Sequence, residues 1–502
     1  MSAYIMAFDL GTSSLKGILM NERAEILASA KRLIRPTFPQ PDWAESDPAN
    51  WWNAACGISR ELTGMLPQAR ISAVAFNAPA CGIIPMTAET NLYPSLIWLD
   101  NRADPIARGL MASMGADPDS EAIMGQTLTG KDCIPKLLWL KQHRPDLWSE
   151  MDCFLDDTGY LVWRATGRLC CTHQCACFIC YDYEAKDWDW SLLDAVGLDR
   201  DKFPPLIHDT DAAGPLTDTA AAELGLEAGI PVLGGFSDNQ ALELGGAGAA
   251  PGASVMYIGT STLLTRTERD AYYEDSRHAN FLNSANPDCH ILYATNDTSG
   301  GCIDWMIDQL FDDRACPKDA LYAKVDDMLD RTEPGAEGLL FTTWFHGERN
   351  PVNNVNIRAT FLNVTENHTR AHIARAVYEG ICYQVRWTLE SIRDTYGLGH
   401  DKIRLIGGGA RSERLVQILA DTLDMVIEIP EDADRAVAKG TGMLALIGLG
   451  LMSFEDCAST IRIKRVFQPR PENRAVYDQA YHRYTAAYYA LKGLYKDINQ
   501  GG

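Results

Sequence analysis

The amino-acid sequence predicts an α/β protein with two large domains. The chain has 502 residues, whereas a single hydrophobic core rarely grows beyond about 250–300 residues. One local pattern, an apolar strand followed by a Gly-Thr-Ser turn and a second strand, occurs in each half, at residues 11–13 and 259–261. In the N-terminal half the predicted strands and helices follow a mixed order, which differs from the strict alternation of a Rossmann domain.

The first half begins with three predicted strands and one well-marked helix. The helix is expected over Pro48–Met65, since Asp47 is placed to cap it and Pro48 occupies its first turn. Two strands follow, and a loop-rich stretch then leads to a further strand and a helix of small residues. The strands are expected at residues 4–8, 15–20, Ile26–Leu33, 71–76, 83–86 and 230–233, and the small-residue helix at 241–248.

The second half restarts with strands and continues into helices. Residues 245–252 are rich in Gly, Ala and Pro, a composition typical of a connection. We therefore expect one domain over residues 1–245 and a second over residues 246–502. The elements of the second domain are expected as strands at 255–258, 262–267 and Lys402–Ile406 and as helices at 369–396, 412–423, 436–449 and 472–495.

The composition argues against several classes of function. With a net charge of −22, the chain lacks the basic footprint that nucleic-acid binding requires. No apolar run reaches membrane-spanning length, and the N-terminus lacks the basic and apolar segments of a secretory leader. We therefore expect a cytoplasmic protein without a nucleic-acid or membrane partner.

The 14 cysteines are expected to be reduced, since most lie among apolar residues of a chain expected to be cytoplasmic. The exception is a cluster between residues 170 and 180, which also contains His173. Within it, Cys177 and Cys180 have the spacing of zinc ligands, but no second well-spaced pair accompanies them. The alternative is that alternating residues on neighbouring strands bury these thiols in place of Ala or Ser.

The two Gly-Thr-Ser turns have the properties of phosphate-binding sites. Glycine permits close approach, and backbone N–H groups and hydroxyls donate hydrogen bonds to phosphate oxygens. Asp9, just before the first turn, can hold Mg²⁺ beside the phosphates, and Lys16 on the next strand can neutralise phosphate charge. The alternative is a simple hairpin, but the repetition favours a duplicated nucleotide-binding core. The turn residues are Gly11, Thr12, Ser13, Gly259, Thr260 and Ser261.

Asp238 lies where an apolar strand runs into the small-residue helix. In open α/β sheets, ligands bind at such strand ends. An ionised Asp there can accept the proton of a hydroxyl that attacks a γ-phosphate. The alternative is a helix N-cap, a position that Asp fills well.

Two further segments are candidates for ligand contacts. The glycine-rich turn that contains Gly408, Gly409 and Ala410 lacks the last glycine of a dinucleotide fingerprint, yet it offers a flat surface on which adenine or ribose can lie. Asp100 and Arg102 follow a tryptophan and can supply bidentate polar groups to a sugar. The alternatives are a plain strand-to-helix turn and a surface ion pair beside core tryptophans.

Taken as an ordered set, these motifs resemble those of the FGGY carbohydrate kinases, and most closely the xylulokinase-type branch of that family. The resemblance covers nearly the whole chain. Its motifs are residues 9–14, 43–52, 98–102 and 136–143, the pair Asp238 and Asn239, and residues 259–261, 347–351, 379–380 and 407–412.

The resemblance implies an actin-like, ribonuclease-H-like fold of two domains with ATP in the cleft between them. It also implies transfer of the γ-phosphoryl group of ATP to a hydroxyl of a small sugar, such as a ketopentose. Asp238 would be the catalytic base, Asp9 would organise Mg²⁺, and Asp100, Arg102, Asp238 and Asn239 would contact the sugar. Residues of both Gly-Thr-Ser turns would bind phosphates, while Gly408, Gly409 and Ala410 would face adenosine. A homodimer is compatible with this family.

The sugar side departs from the family pattern. Where xylulokinase-like members have Gln-Met-His, this chain has Asn-Ala-Pro-Ala-Cys at residues 77–81, with no His and no Met, and Gln174 and Asn354 stand where acidic residues are usual. A site that loses hydrogen-bonding groups changes its preference among substrates. The sequence therefore leaves open a kinase for a polyol or another ketose, and a non-catalytic sugar-binding or nucleotide-binding regulator with the same fold.

Overall fold

The computed structural model describes residues 3–113, 128–270, 280–311 and 316–500. These residues form two compact units, and both contain helices and strands, as the sequence predicts. The first unit comprises the chain up to Pro251 with Leu282–Ile291 and Arg435–Ile461, and the second comprises Gly252–Phe281, Leu292–Asp434 and the chain from Arg462 onward. The first unit thus takes up two segments from beyond residue 245, where the sequence analysis places the domain boundary.

The described strands, in chain order, are β1 (Tyr4–Leu10), β2 (Ser14–Asn21), β3 (Ile26–Leu33), β4 (Glu45–Ser46), β5 (Ile71–Ala78), β6 (Ile84–Met86), β7 (Ser95–Leu96), β8 (Cys153–Leu155), β9 (Cys171–Thr172), β10 (Tyr181–Asp182), β11 (Asp187–Trp188), β12 (Leu206–Ile207), β13 (Ala212–Pro215), β14 (Pro231–Leu233), β15 (Phe236–Ser237), β16 (Ser254–Ile258), β17 (Thr262–Glu268), β18 (Asn280–Asn283), β19 (His290–Asn296), β20 (Leu340–Thr342), β21 (Thr360–Leu362), β22 (Lys402–Ile406), β23 (Val426–Pro430) and β24 (Ile463–Phe467).

The described α-helices are α1 (Pro48–Met65), α2 (Asp104–Ser113), α3 (Cys133–His143), α4 (Pro145–Glu150), α5 (Asp157–Thr166), α6 (His173–Ala176), α7 (Trp190–Ala195), α8 (Asp218–Leu224), α9 (Asp238–Ala247), α10 (Gly300–Leu310), α11 (Lys318–Met328), α12 (Arg370–Tyr396), α13 (Glu413–Leu423), α14 (Ala436–Gly448), α15 (Phe454–Cys457) and α16 (Arg474–Gln500). Helix α1 has its predicted bounds, and the Asp47 side chain caps it by accepting a hydrogen bond from Ala49 N at 3.0 Å. Among the described helices, none combines the length and the hydrophobicity that crossing a bilayer requires.

The two large sheets repeat one arrangement of strands. In the first sheet, the described strands follow the order β13-β14-β5-β1-β2-β3, with β1 antiparallel to β2 and parallel to β5. In the second sheet, they follow the order β18-β19-β17-β16-β22-β23-β24, with β16 antiparallel to β17 and parallel to β22. In each sheet, the first strand of the hairpin that carries a Gly-Thr-Ser turn also pairs in parallel with a strand outside the hairpin. That partner is β5 in the first sheet and β22 in the second. This shared topology supports the duplication that the repeated turn predicts.

Aromatic residues fill the core on one face of the first sheet. Phe8 of β1 and Phe76 of β5 stack with their ring centroids 5.2 Å apart, and Trp52 of α1 packs beside Phe76. All three side chains are almost fully buried. Because β1 and β5 lie in the middle of the sheet, this packing anchors the strand ends that lead into the first turn.

Helices α9 and α14 of the first unit approach closely through small residues. A Cβ on Gly245 would lie 1.8 Å from Ala436 O, and a Cβ on Gly440 would lie 2.0 Å from Ala241 O. Gly245 thus lies within α9, where the sequence composition indicated a connection. The small residues permit backbone contact between two helices, because any side chain at these positions would force the helices apart.

Candidate active site

The first Gly-Thr-Ser turn joins β1 to β2 at the edge where β1 ends. Gly11 N donates to Ser14 O at 2.8 Å, which closes the turn. Asp9 lies opposite Lys16 in the antiparallel ladder. Their side chains form an ion pair, with Lys16 Nζ 3.7 Å from Asp9 Oδ2. The predicted metal-binding carboxylate and the predicted phosphate-binding amine therefore lie together beside the turn.

Asp9 is a buried carboxylate next to β5. It is 7% exposed, and Asn77 lies opposite it in the parallel ladder. Burial raises the pKa of Asp9, while the charge of Lys16 and a hydrogen bond from Asn77 oppose that rise. Asn77 Nδ2 also donates to Thr441 Oγ1 of α14 at 2.5 Å, which holds its amide in place. Asp9 is thus held in a fixed position by groups on two neighbouring strands.

Asp238 is the first residue of α9, directly after β15, which pairs in parallel with β5. The N-cap position belongs to Ser237, so Asp238 is not the cap that the alternative interpretation proposed. Its carboxylate keeps part of its surface exposed and accepts a hydrogen bond from Asn239 Nδ2 at 3.2 Å. Burial and then the negative charge of Asp9 raise the pKa of Asp238 to about 7, while the backbone N–H groups of Asn239, Asp238 and Ala80 lower it.

The influence of Asp9 on the pKa of Asp238 indicates that β1 and β15 bring the two carboxylates near each other. Strands β1 and β15 pair with opposite edges of β5, and both pairings include Asn77, the residue after Phe76. A carboxylate with a pKa near 7 is about half ionised at neutral pH, and its ionised fraction is more basic than an ordinary carboxylate, which suits general-base catalysis.

Asp100 and Arg102 form a buried ion pair with each other. Arg102 Nη2 lies 2.7 Å from Asp100 Oδ2 and 2.7 Å from Glu45 Oε1, and the guanidinium lies 3.6 Å from the centroid of the Trp43 ring. Asp100 Oδ2 also accepts a hydrogen bond from Ala44 N at 2.6 Å. Most of the polar capacity that a sugar would require is therefore used inside the protein, and a direct sugar contact by these two residues stays a prediction.

Trp98 connects this segment to the first turn. Its indole N–H donates to Thr12 Oγ1 at 2.8 Å. The hydroxyl of Thr12 is thereby oriented, and the indole ring lies next to the turn. The ion pair of Asp100 and Arg102 lies just after Trp98 in the chain.

The second Gly-Thr-Ser turn is held by the N-terminus of α10. Ser299 N and Gly301 N donate to Thr260 O at 2.8 and 3.0 Å, and Gly300 N donates to Gly259 O at 2.9 Å. A Cβ on Gly300 would lie 2.2 Å from Gly259 O. Sequence reasoning did not single out Ser299, Gly300 and Gly301. The available signal was a run of small residues just before an amphipathic helix.

The glycine-rich turn that follows β22 lies beside the second Gly-Thr-Ser turn. Gly407 has φ of 87°, a conformation that favours glycine, and a Cβ on Gly409 would lie 2.7 Å from the Ile258 side chain. Ile258 directly precedes Gly259. Gly408 is exposed and Ala410 is buried, so the turn presents bare backbone at Gly408, as the predicted adenosine surface requires.

The cysteine cluster has no metal-binding arrangement. Within the described ranges, no group of three or more His, Cys, Asp or Glu side chains is arranged to hold a metal ion. Burial raises the pKa of Cys177 and Cys180 to about 12, so both remain thiols. The prediction of neighbouring strands is wrong for residues 173–176, which form the short helix α6 after β9 because the Thr172 side chain caps its first turn.

Comparison with known families accounts for both halves of the chain. Residues 4–245 match the N-terminal domain of the FGGY family of carbohydrate kinases, and residues 254–449 match its C-terminal domain. The chain belongs to the FGGY family of carbohydrate kinases. The resemblance that the sequence motifs indicate is therefore confirmed.

Individual relatives agree with this assignment. A xylulose kinase of Staphylococcus epidermidis is 28% identical over 507 residues, which covers 98% of each chain. A ligand-bound xylulose kinase of Lactobacillus acidophilus has a TM-score of 0.89 at 22% identity and covers 99% of this chain and 100% of its own. A gluconate kinase of the same organism has a TM-score of 0.88 at 22% identity, with the same coverage.

These findings confirm the two-domain, actin-like α/β fold and the enzymatic class. The protein is a phosphotransferase that uses ATP to phosphorylate an alcohol group of a carbohydrate. Asp9, Asp238 and the first Gly-Thr-Ser turn lie in the part that matches the N-terminal FGGY domain, whereas the second turn and Gly408 lie in the part that matches the C-terminal domain.

Proposed function

We propose that this FGGY kinase phosphorylates a small sugar, a ketopentose such as D-xylulose, with Asp238 as its catalytic base. The observation that carries the proposal is the position of Asp238, which follows a strand that pairs with β5 and lies close enough to Asp9, on the other neighbour of β5, for the charge of Asp9 to raise its pKa. The relative from Staphylococcus epidermidis, which matches over nearly the full length, supports a pentulose as the acceptor.

In this mechanism, Asp238 accepts the proton of the sugar hydroxyl. The hydroxyl oxygen forms a bond to the γ-phosphorus of ATP, the bond from that phosphorus to the bridging oxygen breaks, and ADP leaves. Asn239 donates to Oδ1 of Asp238, which directs Oδ2 toward the substrate proton. The partial exposure of Asp238 is needed, because a fully enclosed base could not reach an external hydroxyl.

The residues around Asp9 fit a magnesium ion. Mg²⁺ is usually held by one or two carboxylates together with substrate phosphates, and Asp9 offers a carboxylate at the edge of a turn that suits phosphates. The negative charge of Asp9 raises the cost of ionising Asp238, which a nearby cation would relieve. When bound, Mg²⁺ would neutralise phosphate charge.

Each turn is assigned its own ligand contacts. In the first unit, Gly11, Thr12, Ser13 and Lys16 are proposed to contact phosphate oxygens. In the second unit, the proposed phosphate contacts are made by Gly259, Thr260 and Ser261, and the proposed adenosine surface is formed by Gly408, Gly409 and Ala410. The support for the second set is the rigid frame that α10 and β22 provide for these turns.

The sugar contacts are proposed separately. Asp238 and Asn239 are proposed to contact the acceptor directly. Asp100 and Arg102 are proposed to line the sugar side of the site, in the segment that follows Trp98. A polyol or another ketose is the second candidate acceptor, and it is favoured by the stretch at residues 77–81, which has no His and no Met where Gln-Met-His is usual.

The remaining expectations from the sequence are kept as proposals. They are a cytoplasmic location, action without a nucleic-acid or membrane partner, a homodimer, and a boundary between domains at residues 245 and 246. The net charge of −22 supports the absence of a nucleic-acid partner. Light scattering on the purified protein would measure the oligomeric state.

The proposed function is tested by measuring ADP formation with Mg²⁺-ATP across pentuloses, hexuloses, pentoses and polyols. A strong rate with D-xylulose would support the ketopentose assignment, and a strong rate with a polyol or another ketose would replace it with the second candidate. If ATP bound and no acceptor stimulated ADP formation, the protein would be a regulator with this fold, and the proposal would fail.

A further inference from the structure

A small pocket of the first unit opens beside the first Gly-Thr-Ser turn. Its deepest part has room for about one water-sized group. The surrounding wall combines strand ends, turn residues and two tryptophans. The residues that line it are Leu10, Gly11, Thr12, Ser46, Trp51, Pro79, Ile97, Trp98 and Asp157.

The two tryptophans contribute apolar walls. Trp51 Nε1 donates to Ser46 Oγ at 2.8 Å, and Trp98 Nε1 donates to Thr12 Oγ1 at 2.8 Å. Both indole N–H groups are therefore used within the wall. The hydroxyls of Ser46 and Thr12 each accept one of these bonds and can still donate their own hydrogen.

Asp157 is the ionisable side chain among the residues that line this pocket. It begins α5, and the cap of that helix is the neighbouring Asp156, whose side chain accepts hydrogen bonds from Thr158 N and Gly159 N. Asp157 is therefore not needed as a cap. Ser95 Oγ donates to Asp157 Oδ1 at 2.6 Å, and a Cβ on Gly82 would lie 2.2 Å from the same oxygen.

The surroundings of Asp157 leave its charge poorly compensated. Burial raises its pKa to about 7, a hydrogen bond from Ser95 lowers it, and the charge of Asp156 raises it. Lys136 also lowers the pKa of Asp157, but Lys136 Nζ donates to Cys81 O at 2.8 Å and to Ile97 O at 2.9 Å. These two carbonyls engage the ammonium group of Lys136. Lys136 is also not among the residues that line the pocket.

The pocket adjoins the proposed catalytic site. Pro79 in its wall precedes Ala80, whose backbone N–H contacts Asp238. On another side, Thr158 Oγ1 of α5 donates to Phe236 O at 3.2 Å, two residues before Asp238. An acceptor whose reacting hydroxyl lies at Asp238 has this pocket within its surroundings.

We infer that Asp157 is a specificity-determining residue that selects an acceptor with a terminal hydroxymethyl group and rejects one with a carboxylate at that end. This inference rests on the proposed kinase function. A hydroxyl both donates and accepts, so it can donate to Asp157 and accept from Ser46 or Thr12. A carboxylate has no hydrogen to donate and would be placed against a second carboxylate, in a wall without a cation.

The test compares acceptors that differ only at one end. D-Glucitol and D-gluconate, and likewise xylitol and D-xylonate, share chain length and configuration, whereas one end is a hydroxymethyl group or a carboxylate. At pH 8, the kcat/KM of the wild-type enzyme is expected to favour the neutral member of each pair by at least ~100-fold. Asp157→Asn is expected to reduce that preference at least ~10-fold, since it removes the repelling charge.

Asp156→Asn is the matched control, because Asp156 is equally buried at the same helix end and Asn is also a good N-cap. Its acceptor preference is expected to stay within ~2-fold of the wild-type value. Equal use of both members by the wild-type enzyme, or the same change in both variants, would overturn the inference.

A measurement on the wild-type enzyme covers the case in which Asp157→Asn does not fold. For the best neutral acceptor, the analogue that lacks the terminal hydroxyl at the non-reacting end is expected to lose at least ~100-fold in kcat/KM, because Asp157 is left without its partner. Equal use of this analogue would overturn the inference. If the enzyme preferred a sugar acid as its acceptor, only this inference would be overturned. If no acceptor stimulated ADP formation, the proposed function and the inference would both be overturned.

Discussion

The two Gly-Thr-Ser turns share a topology but differ in the charges beside them. In the first hairpin, Asp9 lies opposite Lys16, whereas the corresponding positions of the second hairpin pair Tyr257 with Leu263. The second turn instead has its carbonyls held by the N-terminus of α10. The comparison teaches that one backbone arrangement serves two purposes: a charged site suited to chemistry, and a rigid, uncharged frame suited to holding a nucleotide.

The electrostatic difference has a direct consequence at Asp238. Burial and then the charge of Asp9 raise the pKa of Asp238, so the residue beside the first turn contributes to the basicity of the proposed catalytic base. The α10 N-terminus, by contrast, fixes the carbonyls of Gly259 and Thr260 through backbone hydrogen bonds.

The largest effect is expected from removing the proposed catalytic base beside the first turn. Asp238→Asn is expected to lower kcat by ~10²–10⁴-fold because it removes the proton acceptor, while the Kd for ATP stays nearly unchanged. Steady-state ADP formation and titration calorimetry measure the two quantities. Asp211→Asn, at an exposed position of the same unit, is the control. A variant that kept kcat within ~10-fold would show that Asp238 is not the base.

The next largest effect is expected from disturbing the second turn, which is proposed to bind the nucleotide. Gly300→Ala would place a Cβ 2.2 Å from Gly259 O, so the second turn must shift. We expect the KM for ATP to rise ~10-fold with a smaller change in kcat, and the free energy of unfolding to fall by ~1–3 kcal/mol. Gly493→Ala, in α16 of the same unit with open space around it, is the control and is expected to be neutral or slightly stabilising. An unchanged KM for ATP would show that the contacts between α10 and the second turn do not support ATP binding.

The smallest expected effect is a shift in the pH dependence of kcat/KM, which tests whether the charge of Asp9 acts on Asp238. The ionised form of Asp238 accepts the proton, and its pKa is raised to about 7. The kcat/KM at low substrate concentrations should therefore fall ~10-fold per pH unit below about pH 7 and level off above it. In Asp9→Asn, the raising charge is absent, so the limb should move to lower pH. A limb that stayed in place would show that Asp9 does not act on the titrating group.

Much of the fold follows from local patterns in the sequence. Helix α1 and strands β3 and β22 have their predicted bounds, because periodic apolar residues and an N-cap are local signals. Asp9 and Asp238 are predicted as site residues for a similar reason, since each adjoins a strand end that its own neighbours in sequence define.

Other features depend on contacts between distant segments. Ser299, Gly300 and Gly301 meet the second turn across about 40 residues of chain, and no local pattern predicts that meeting. Asp157 follows a capping Asp, and its sequence surroundings do not distinguish a pocket-lining carboxylate from a second cap. For Asp100 and Arg102, a spacing of two residues suits either a sugar contact or an internal ion pair. The burial of both side chains shows that the ion pair is formed.

The most direct test of the division between the turns is a paired substitution at equivalent positions, Asp9→Asn in the first hairpin and Tyr257→Phe in the second. For each variant, kcat and the Kd for ATP would be measured side by side. We predict that Asp9→Asn lowers kcat by at least ~100-fold, whereas Tyr257→Phe leaves kcat within ~3-fold. Similar losses of kcat in both variants would contradict the account, because the two turns would then contribute equally to the chemistry.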